Sequence, residues 1–189
     1  MSRTLVTLRE AHVGDAVFLR ELWQDSIRMA DPQDQLADLE VIIKTAAQSP
    51  EQRLLIAEYD GAVAGAVFLR ATTFGPLNLE PTLQAFSPHV APAYRRKGVG
   101  HALMDAAVGF AEELGIGHVA SAAASGSRDG NRFLARLGLG PQGILRAAPT
   151  ATVRGRLEAA RPAGQRTRVS RSHLGQVLAA RRSMRRTAG

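Results

Sequence analysis

The chain has 189 residues, 45% of them hydrophobic, and a formal net charge of +7; this length suits one hydrophobic core with an appendage better than two full domains. The absence of cysteine excludes disulfides, thiolate nucleophiles and zinc-thiolate sites together. No apolar run approaches the roughly 20 residues of a membrane span, and residues 1–9 lack the pattern of a secretory signal, so we expect a cytoplasmic protein without membrane contact.

The N-terminal part of the chain shows one strand pattern followed by two helix patterns. Residues 5–8 predict a first strand, and apolar residues at helical spacing predict a helix over residues 17–28. Asp31 and Pro32 then begin a second helix that ends near residue 49, because Asp is a good helix cap and Pro is tolerated in the first turn.

The middle of the chain contains turn signals between apolar runs. Asp60 and Gly61 separate two such runs, residues 53–58 and 63–69, and this pattern predicts an antiparallel hairpin. Gly and Pro residues predict a loop over residues 72–81, and an extended segment follows over 82–90.

The C-terminal part alternates helix and strand patterns. We predict a helix over residues 99–114, a strand over 118–124, a short helix over 131–137, and one or two strands over 143–160 with a turn at Pro149. Strands mixed with helices in this order predict an α/β fold with a mixed central sheet flanked by helices.

The positive charge is concentrated at the C-terminal end. Residues 142–189 carry eleven Arg against Glu158 alone, whereas the preceding residues have a slight acidic excess. We therefore divide the chain into a domain over 1–160 and an Arg-rich extension over 161–189, in which a linker precedes an amphipathic helix. Clustered Arg favours contact with RNA, a ribosome or another polyanion, and the alternative is a solubilising extension.

A strand, a basic glycine-containing loop and an apolar helix follow one another around residue 95. Gly98 and Gly100 lack the Cβ atoms that would block a phosphate, and the helix N-terminus offers free N–H groups and the positive end of its dipole. Arg95, Arg96 and Lys97 add positive charge. This arrangement predicts a pyrophosphate-binding site.

The same segment resembles the GNAT superfamily of acetyl-CoA-dependent N-acetyltransferases, whose signature is Gln or Arg, two residues, Gly, one residue, then Gly or Ala. Arg95, Gly98 and Gly100 match it, and residues 90–104 resemble the family's strand, loop and helix. The resemblance implies a GNAT-like fold, acetyl-CoA as acyl-donor substrate and an amine acceptor. The cofactor-binding residues it implies are Val90, which ends the strand along the pantetheine, and Arg95, Arg96, Lys97, Gly98, Val99, Gly100 and His101.

The residues that commonly catalyse transfer in the superfamily are missing. Gln84 occupies the position of a frequent Glu, eleven residues before Arg95, and Leu134 occupies that of a frequent Tyr acid. Pro88 falls where a backbone N–H usually polarises the acetyl carbonyl, and proline has none. Either a bulge shifts the register by one residue, or the oxyanion is stabilised differently.

His89 and Glu80 are the remaining candidates for the general base. His89 lies beside the expected thioester, and histidine changes charge near neutral pH, although a packed structural histidine is the alternative. Regular strand alternation would place His89 on one face with Ser87 and opposite Gln84. Glu80 is the second candidate, with a solvated loop acid as its alternative.

Three functions remain open from the sequence. The first is acetyl transfer to a primary amine of a small molecule, peptide or protein. The second is a noncatalytic acyl-CoA-binding sensor, and the third is a ribosome- or RNA-associated module that uses the Arg-rich extension. A homodimer is a further expectation, the His, Asp and Glu spacing predicts no metal site, and we expect the acceptor to bind near residues 20–50 and 72–82.

Overall fold

The computed structural model describes residues 5–123, 126–143 and 145–161, and the chain divides into two units after Gly140. The described elements of the first unit are β1 (Val6–Glu10), α1 (Ala16–Leu22), α2 (Pro32–Gln48), β2 (Gln52–Tyr59), β3 (Ala62–Gly75), β4 (Asn78–Val90), α3 (Val99–Glu113), β5 (His118–Ser121) and α4 (Arg128–Arg136). The second unit contains α5 (Thr150–Ala159). None of the helices in these residues is long and apolar enough to cross a membrane.

The five strands form one sheet in the order β1-β2-β3-β4-β5. Neighbouring strands are antiparallel except for β4 and β5, which are parallel. The predicted α/β fold with a mixed sheet is therefore confirmed. The hairpin between β2 and β3 is also as predicted, because Asp60 and Gly61 both have positive φ, at 52° and 81°, as a tight two-residue turn requires.

Each face of the sheet carries its own hydrophobic core. On one face, α1 and α2 cover strand residues that include Ile56 and Ala66. On the other face, α3 covers a set that includes Val67 and Leu83. The alternation of neighbouring residues such as Ala66 and Val67 between the two cores follows from the period of two in a strand.

Two predictions for the N-terminal half are wrong. The first helix ends at Leu22 rather than near residue 28. The predicted loop over residues 72–81 is instead the end of β3 and the start of β4, which pair as far as Gly75 and Asn78. Pro81 is tolerated inside this ladder because β5 pairs with β4 only from Thr82 onward, so the missing N–H of the proline faces no strand.

The predicted strands over residues 143–160 are wrong as well. Residues 150–159 form α5, whose N-terminal cap residue is Pro149. Proline suits the start of a helix, and the Ala, Arg, Leu and Glu residues that follow are good helix formers. Of the predicted Arg-rich extension, residues 162–189 lie outside the described residues.

Candidate active site

A β-bulge interrupts β4 three residues before the strand ends. Ala66 of β3 pairs with His89, and Phe68 pairs with Phe86, so one residue of β3 faces two residues of β4, Ser87 and Pro88. Ser87 has a φ of 45°, a left-handed conformation that is uncommon outside glycine. The bulge foreseen from Pro88 is therefore present.

The bulge reverses the alternation of side chains beyond it. His89 lies opposite Ala66, which belongs to the core under α1 and α2, whereas Val90 lies opposite Gly65 on the α3 face. Residues paired in an antiparallel ladder share a face, so His89 points to the same face as Phe86. The expectation from regular alternation, with His89 opposite Gln84, is thus wrong because one extra residue intervenes.

His89 is partly buried and has an unusual polar environment. Its Nδ1 atom is buried and has no hydrogen-bond partner, which is the one such case among the described residues. The neighbouring carbonyl of Ser87 accepts a 2.9 Å hydrogen bond from the indole N–H of Trp23. The bulge is thereby attached to the end of α1, and His89 follows it directly in the chain.

Beyond residue 85 the parallel strands separate. Their pairing covers four residues of each strand and ends where Ala85 lies opposite Ser121, whose Oγ donates a 2.9 Å hydrogen bond to the carbonyl of Ala85. β4 continues to Val90 without β5 beside it. Since the N–H of Ala91 bonds to Ala64 of β3, alternation directs the N–H of Val90 toward the vacated side.

The loop between Val90 and α3 presents a run of free backbone donors. Among the described residues, no N–H group from Arg96 to His101 donates a hydrogen bond of ordinary geometry. Gly98 caps α3 with a left-handed φ of 85°, and a Cβ at Gly100 would lie 3.4 Å from the ring of Phe133. These donors at a helix N-terminus fit a pyrophosphate, so the residues suit the diphosphate of acetyl-CoA.

The basic side chains of the loop have different surroundings. The ammonium of Lys97 lies 4.8 Å from the ring centre of Tyr59 and 5.3 Å from that of Tyr94, which is cation–π geometry. Arg95 donates a long hydrogen bond of 3.4 Å to the carbonyl of Val90. Arg96 has a positive φ of 61° and no side-chain partner in the described part of the chain, so it is the least restrained of the three cations.

A cleft opens on the same face of the sheet as His89. Its volume is about 440 Å³, and the β3 and β4 side chains Phe68 and Phe86 line it from the sheet, with ring centres 5.9 Å apart. Residues from the opposite wall belong to α2 and the segment after α1, among them Trp23, Ile27, Leu39 and Ile42. Residues of the expected acceptor region over 20–50 therefore line this cleft, whereas none of the expected residues 72–82 is among its lining residues.

The second candidate base lies elsewhere on β4. Glu80 is exposed, and its carboxylate lies 3.5 Å from Nδ1 of His118 at the start of β5. Glu80 lies nine positions before His89 along β4, which corresponds to about 30 Å at the usual rise per residue. The structure therefore brings His89, but not Glu80, to the bulge and the loop. Leu134 is buried in the core, in accord with the missing acid.

A partly buried ion pair connects β1 to the start of α1 and to β2. The guanidinium of Arg9 bonds both carboxylate oxygens of Asp15, at 2.7 and 2.8 Å, and a third nitrogen bonds Glu58. Burial by itself would raise the pKa of Asp15, but hydrogen bonds from Arg9 and from the N–H of His12 outweigh it, and the pKa is lowered. The Asp15 carboxylate is therefore ionised in the folded chain at neutral pH.

Sequence reasoning missed three residues at this site. Trp23 and Phe133 were assigned no role, although the first anchors the bulge and the second covers Gly100. Arg70, which lines the cleft, was also not identified. The sequence does offer a signal for Trp23, because it is the single Trp of the chain and a buried indole N–H usually finds a hydrogen-bond partner.

Comparison with known proteins agrees with this geometry. The model of the acetyltransferase (GNAT) family matches residues 16–139, which is more than half of the chain. The chain belongs to the GNAT acetyltransferase family. It is accordingly an enzyme of the acyltransferase class, and acetyl-CoA is the family's acetyl donor. Curated proteins gave no significant sequence match.

Solved structures share the GNAT fold at low identity. A transcriptional regulator from Bacillus halodurans is 19% identical, with a TM-score of 0.63 over 76% of this chain and 99% of that one. The aminoglycoside N-acetyltransferase AAC(6')-Iy, solved with CoA, is 17% identical, with a TM-score of 0.63 over 79% and 98%. A ribosomal-protein-alanine N-acetyltransferase from Brucella melitensis is 19% identical, with a TM-score of 0.55 over 76% and 98%.

Proposed function

We propose that this GNAT protein transfers the acetyl group of acetyl-CoA to a primary amine by direct attack of the amine nitrogen on the thioester carbonyl. The observation that carries the proposal is the position of His89. It follows the bulge and points to the sheet face that carries the cleft, two residues after Ser87, which lines the cleft. The strand continues from His89 into the loop of free N–H groups. One strand therefore connects an acceptor region to a donor-binding loop.

In this proposal the loop binds the donor and β4 orients it. The amides from Arg96 to His101 would hold the diphosphate, with Arg95, Arg96 and Lys97 supplying countercharge. The N–H of Val90 would bond the pantetheine where β5 has ended. Gly98 and Gly100 allow the close approach that the loop requires.

His89 would act as the general base. The bond that forms joins the amine nitrogen to the acetyl carbon, the bond that breaks joins this carbon to sulfur, and the amine proton passes to the imidazole. Because Nδ1 is buried, Nε2 is the atom that we assign to this transfer. The thiolate leaves and takes its proton from solvent, so the reaction needs no acid at Leu134.

The proposal is tested by thiol release and product mass with a panel of primary amines. His89→Gln should lower kcat about 10²- to 10⁴-fold, as loss of a general base usually does, with CoA affinity retained. His118→Gln is the matched control, and Glu80→Gln tests the second candidate base; these two residues pair with each other away from the bulge. A loss of activity in Glu80→Gln with normal turnover in His89→Gln would make Glu80 the base.

The two other functions give different results in the same preparation. Tight CoA binding without transfer to any amine would support the noncatalytic sensor. The RNA or ribosome alternative rests on residues 161–189, and salt-dependent RNA binding that survives their deletion would remove its basis. A homodimer and a cytoplasmic location remain predictions.

A further inference from the structure

The cleft is lined mostly by apolar residues and by few charged ones. Seven of its twelve described residues are apolar or aromatic, and its volume falls within the range of about 300–1,000 Å³ that is usual for small-molecule sites. No Asp or Glu is among these lining residues. An acceptor with several positive charges would thus find no carboxylate among them to pair with.

Arg70 is the one charged side chain in this described lining. It lies on β3 opposite Gln84, its side chain is exposed, and it makes no salt bridge or side-chain hydrogen bond with any residue that the structure describes. An unpaired guanidinium presents a planar set of donors that matches a carboxylate or phosphate. The guanidinium of Arg28, which follows the lining residue Ile27, is by contrast already paired with the carboxylate of Asp38 on α2.

The distance along the sheet between His89 and Arg70 sets the length of a ligand that contacts both residues. Ala66, which pairs with His89, is four residues before Arg70 on β3, which corresponds to about 13 Å along the strand. Between these positions lies the aromatic pair of Phe68 and Phe86. A ligand that reaches from one end to the other must therefore cross an apolar surface.

We infer that the acceptor is an amphiphilic primary amine with an anionic group at its far end. Its amine lies at His89, its apolar body covers Phe68 and Phe86, and its carboxylate or phosphate binds Arg70. This inference rests on the proposed acetyl transfer and adds the chemical class of the acceptor. It excludes polycationic amines as good substrates, because Arg70 repels a second positive charge.

The test compares four series of chain-length-matched amines with the full-length protein: ω-amino carboxylates, ω-aminoalkyl phosphonates, n-alkylamines and α,ω-diamines. We expect one of the two anionic series to exceed the diamines in kcat/KM by about 10- to 100-fold, the range of a charge-assisted hydrogen bond. The carboxylate and phosphonate arms distinguish the two anions. The preference should peak at one chain length, because the span is fixed by the sheet.

Arg70→Glu should invert this preference in favour of the diamines and leave CoA affinity unchanged. Arg136→Glu makes the same charge reversal at an exposed position on α4 that is not among the lining residues, and it serves as the control. If Arg70→Glu proves unstable, Arg70→Gln should abolish the preference without inverting it.

The outcomes separate the two proposals. Transfer that is as fast to diamines as to anionic amines, and unaltered by Arg70→Glu, overturns the inference and leaves the acetyltransferase proposal standing. A protein that binds CoA and acetylates none of the four series or the wider amine panel refutes both.

Discussion

The indole N–H of Trp23 donates a 2.9 Å hydrogen bond to the carbonyl oxygen of Ser87. Trp23 is the C-terminal cap of α1, and Ser87 is the left-handed residue of the β4 bulge. The indole is 6% exposed, so its donor has little access to water as an alternative partner. A helix end and a strand irregularity are thus joined directly before His89, and we propose that Trp23 positions this residue.

Trp23→Phe retains an aromatic ring and removes this donor. We expect kcat to fall about tenfold with unchanged CoA affinity, because a small displacement of a catalytic group is enough to slow transfer. Steady-state kinetics and calorimetric titration of CoA measure the two effects separately. A variant that is less stable but has wild-type kcat would limit Trp23 to a structural role.

Alanine substitutions at Gly65 and at Gly109 should change the free energy of unfolding in opposite directions. A Cβ at Gly65 would lie 2.7 Å from the carbonyl oxygen of His89, so the backbone must shift, and we expect the free energy of unfolding to fall by about 1–3 kcal/mol. Gly109 lies inside α3, where an added Cβ would meet no atom within 4 Å, and alanine there should raise stability by about 0.5–1 kcal/mol. Urea unfolding tests both; a stabilising Gly65→Ala contradicts the close contact.

Gly98→Ala should weaken CoA binding. Gly98 has a φ of 85°, and an L-residue held there is strained by about 1–3 kcal/mol, which the free loop relieves by moving away from its donor geometry. We expect CoA affinity to fall about tenfold or more. Gly75→Ala in the β3–β4 hairpin is the control, since its φ is not left-handed and its surroundings are open. Equal CoA affinities in Gly98→Ala and Gly75→Ala would contradict the proposal that this loop binds CoA.

The ion pair of Arg9 and Asp15 should make stability depend on acid pH. Because the folded-state pKa of Asp15 is lowered, its carboxylate stabilises the fold above the unfolded value of about 3.9, and this contribution disappears as pH falls through the folded value. Asp15→Asn should cost about 2 kcal/mol at pH 7, and the difference from wild type should narrow as pH falls below the unfolded value of about 3.9. A difference that does not vary with pH, or one shared by Asp105→Asn on α3, would refute this assignment.

Local signals explain which elements the sequence predicts. α2 has both a capping Asp31, which accepts hydrogen bonds from two N–H groups, and Pro32 in its first turn. α3 follows a left-handed glycine, and the first hairpin has an Asp-Gly turn. At residues 72–81, Gly and Pro indicate a loop, but they do not show that β3 and β4 are available to pair there. At residues 143–160, Pro149 indicates a turn between strands, whereas it is the N-terminal cap of α5.

The candidate site also contains one part that the sequence predicts and another that it does not predict. The loop is predictable because its glycines and cations are consecutive, and its free amides follow from the helix start. The face of His89 is not predictable from alternation, because it depends on how β4 pairs with β3. Arg70 and Phe86 come together across two strands, and no spacing along the chain relates them to each other.

The bulge also has a consequence for the evolution of this strand. Removing one residue from Ser87–Pro88 would convert the bulge into a regular ladder, in which His89 still lies opposite Ala66 and Val90 still lies opposite Gly65. Such a deletion would instead remove the left-handed backbone that presents the carbonyl of Ser87 to Trp23. We therefore expect Trp23 and the extra residue of the bulge to be kept or lost together in evolution, because a single-codon deletion here would leave the indole N–H without this partner.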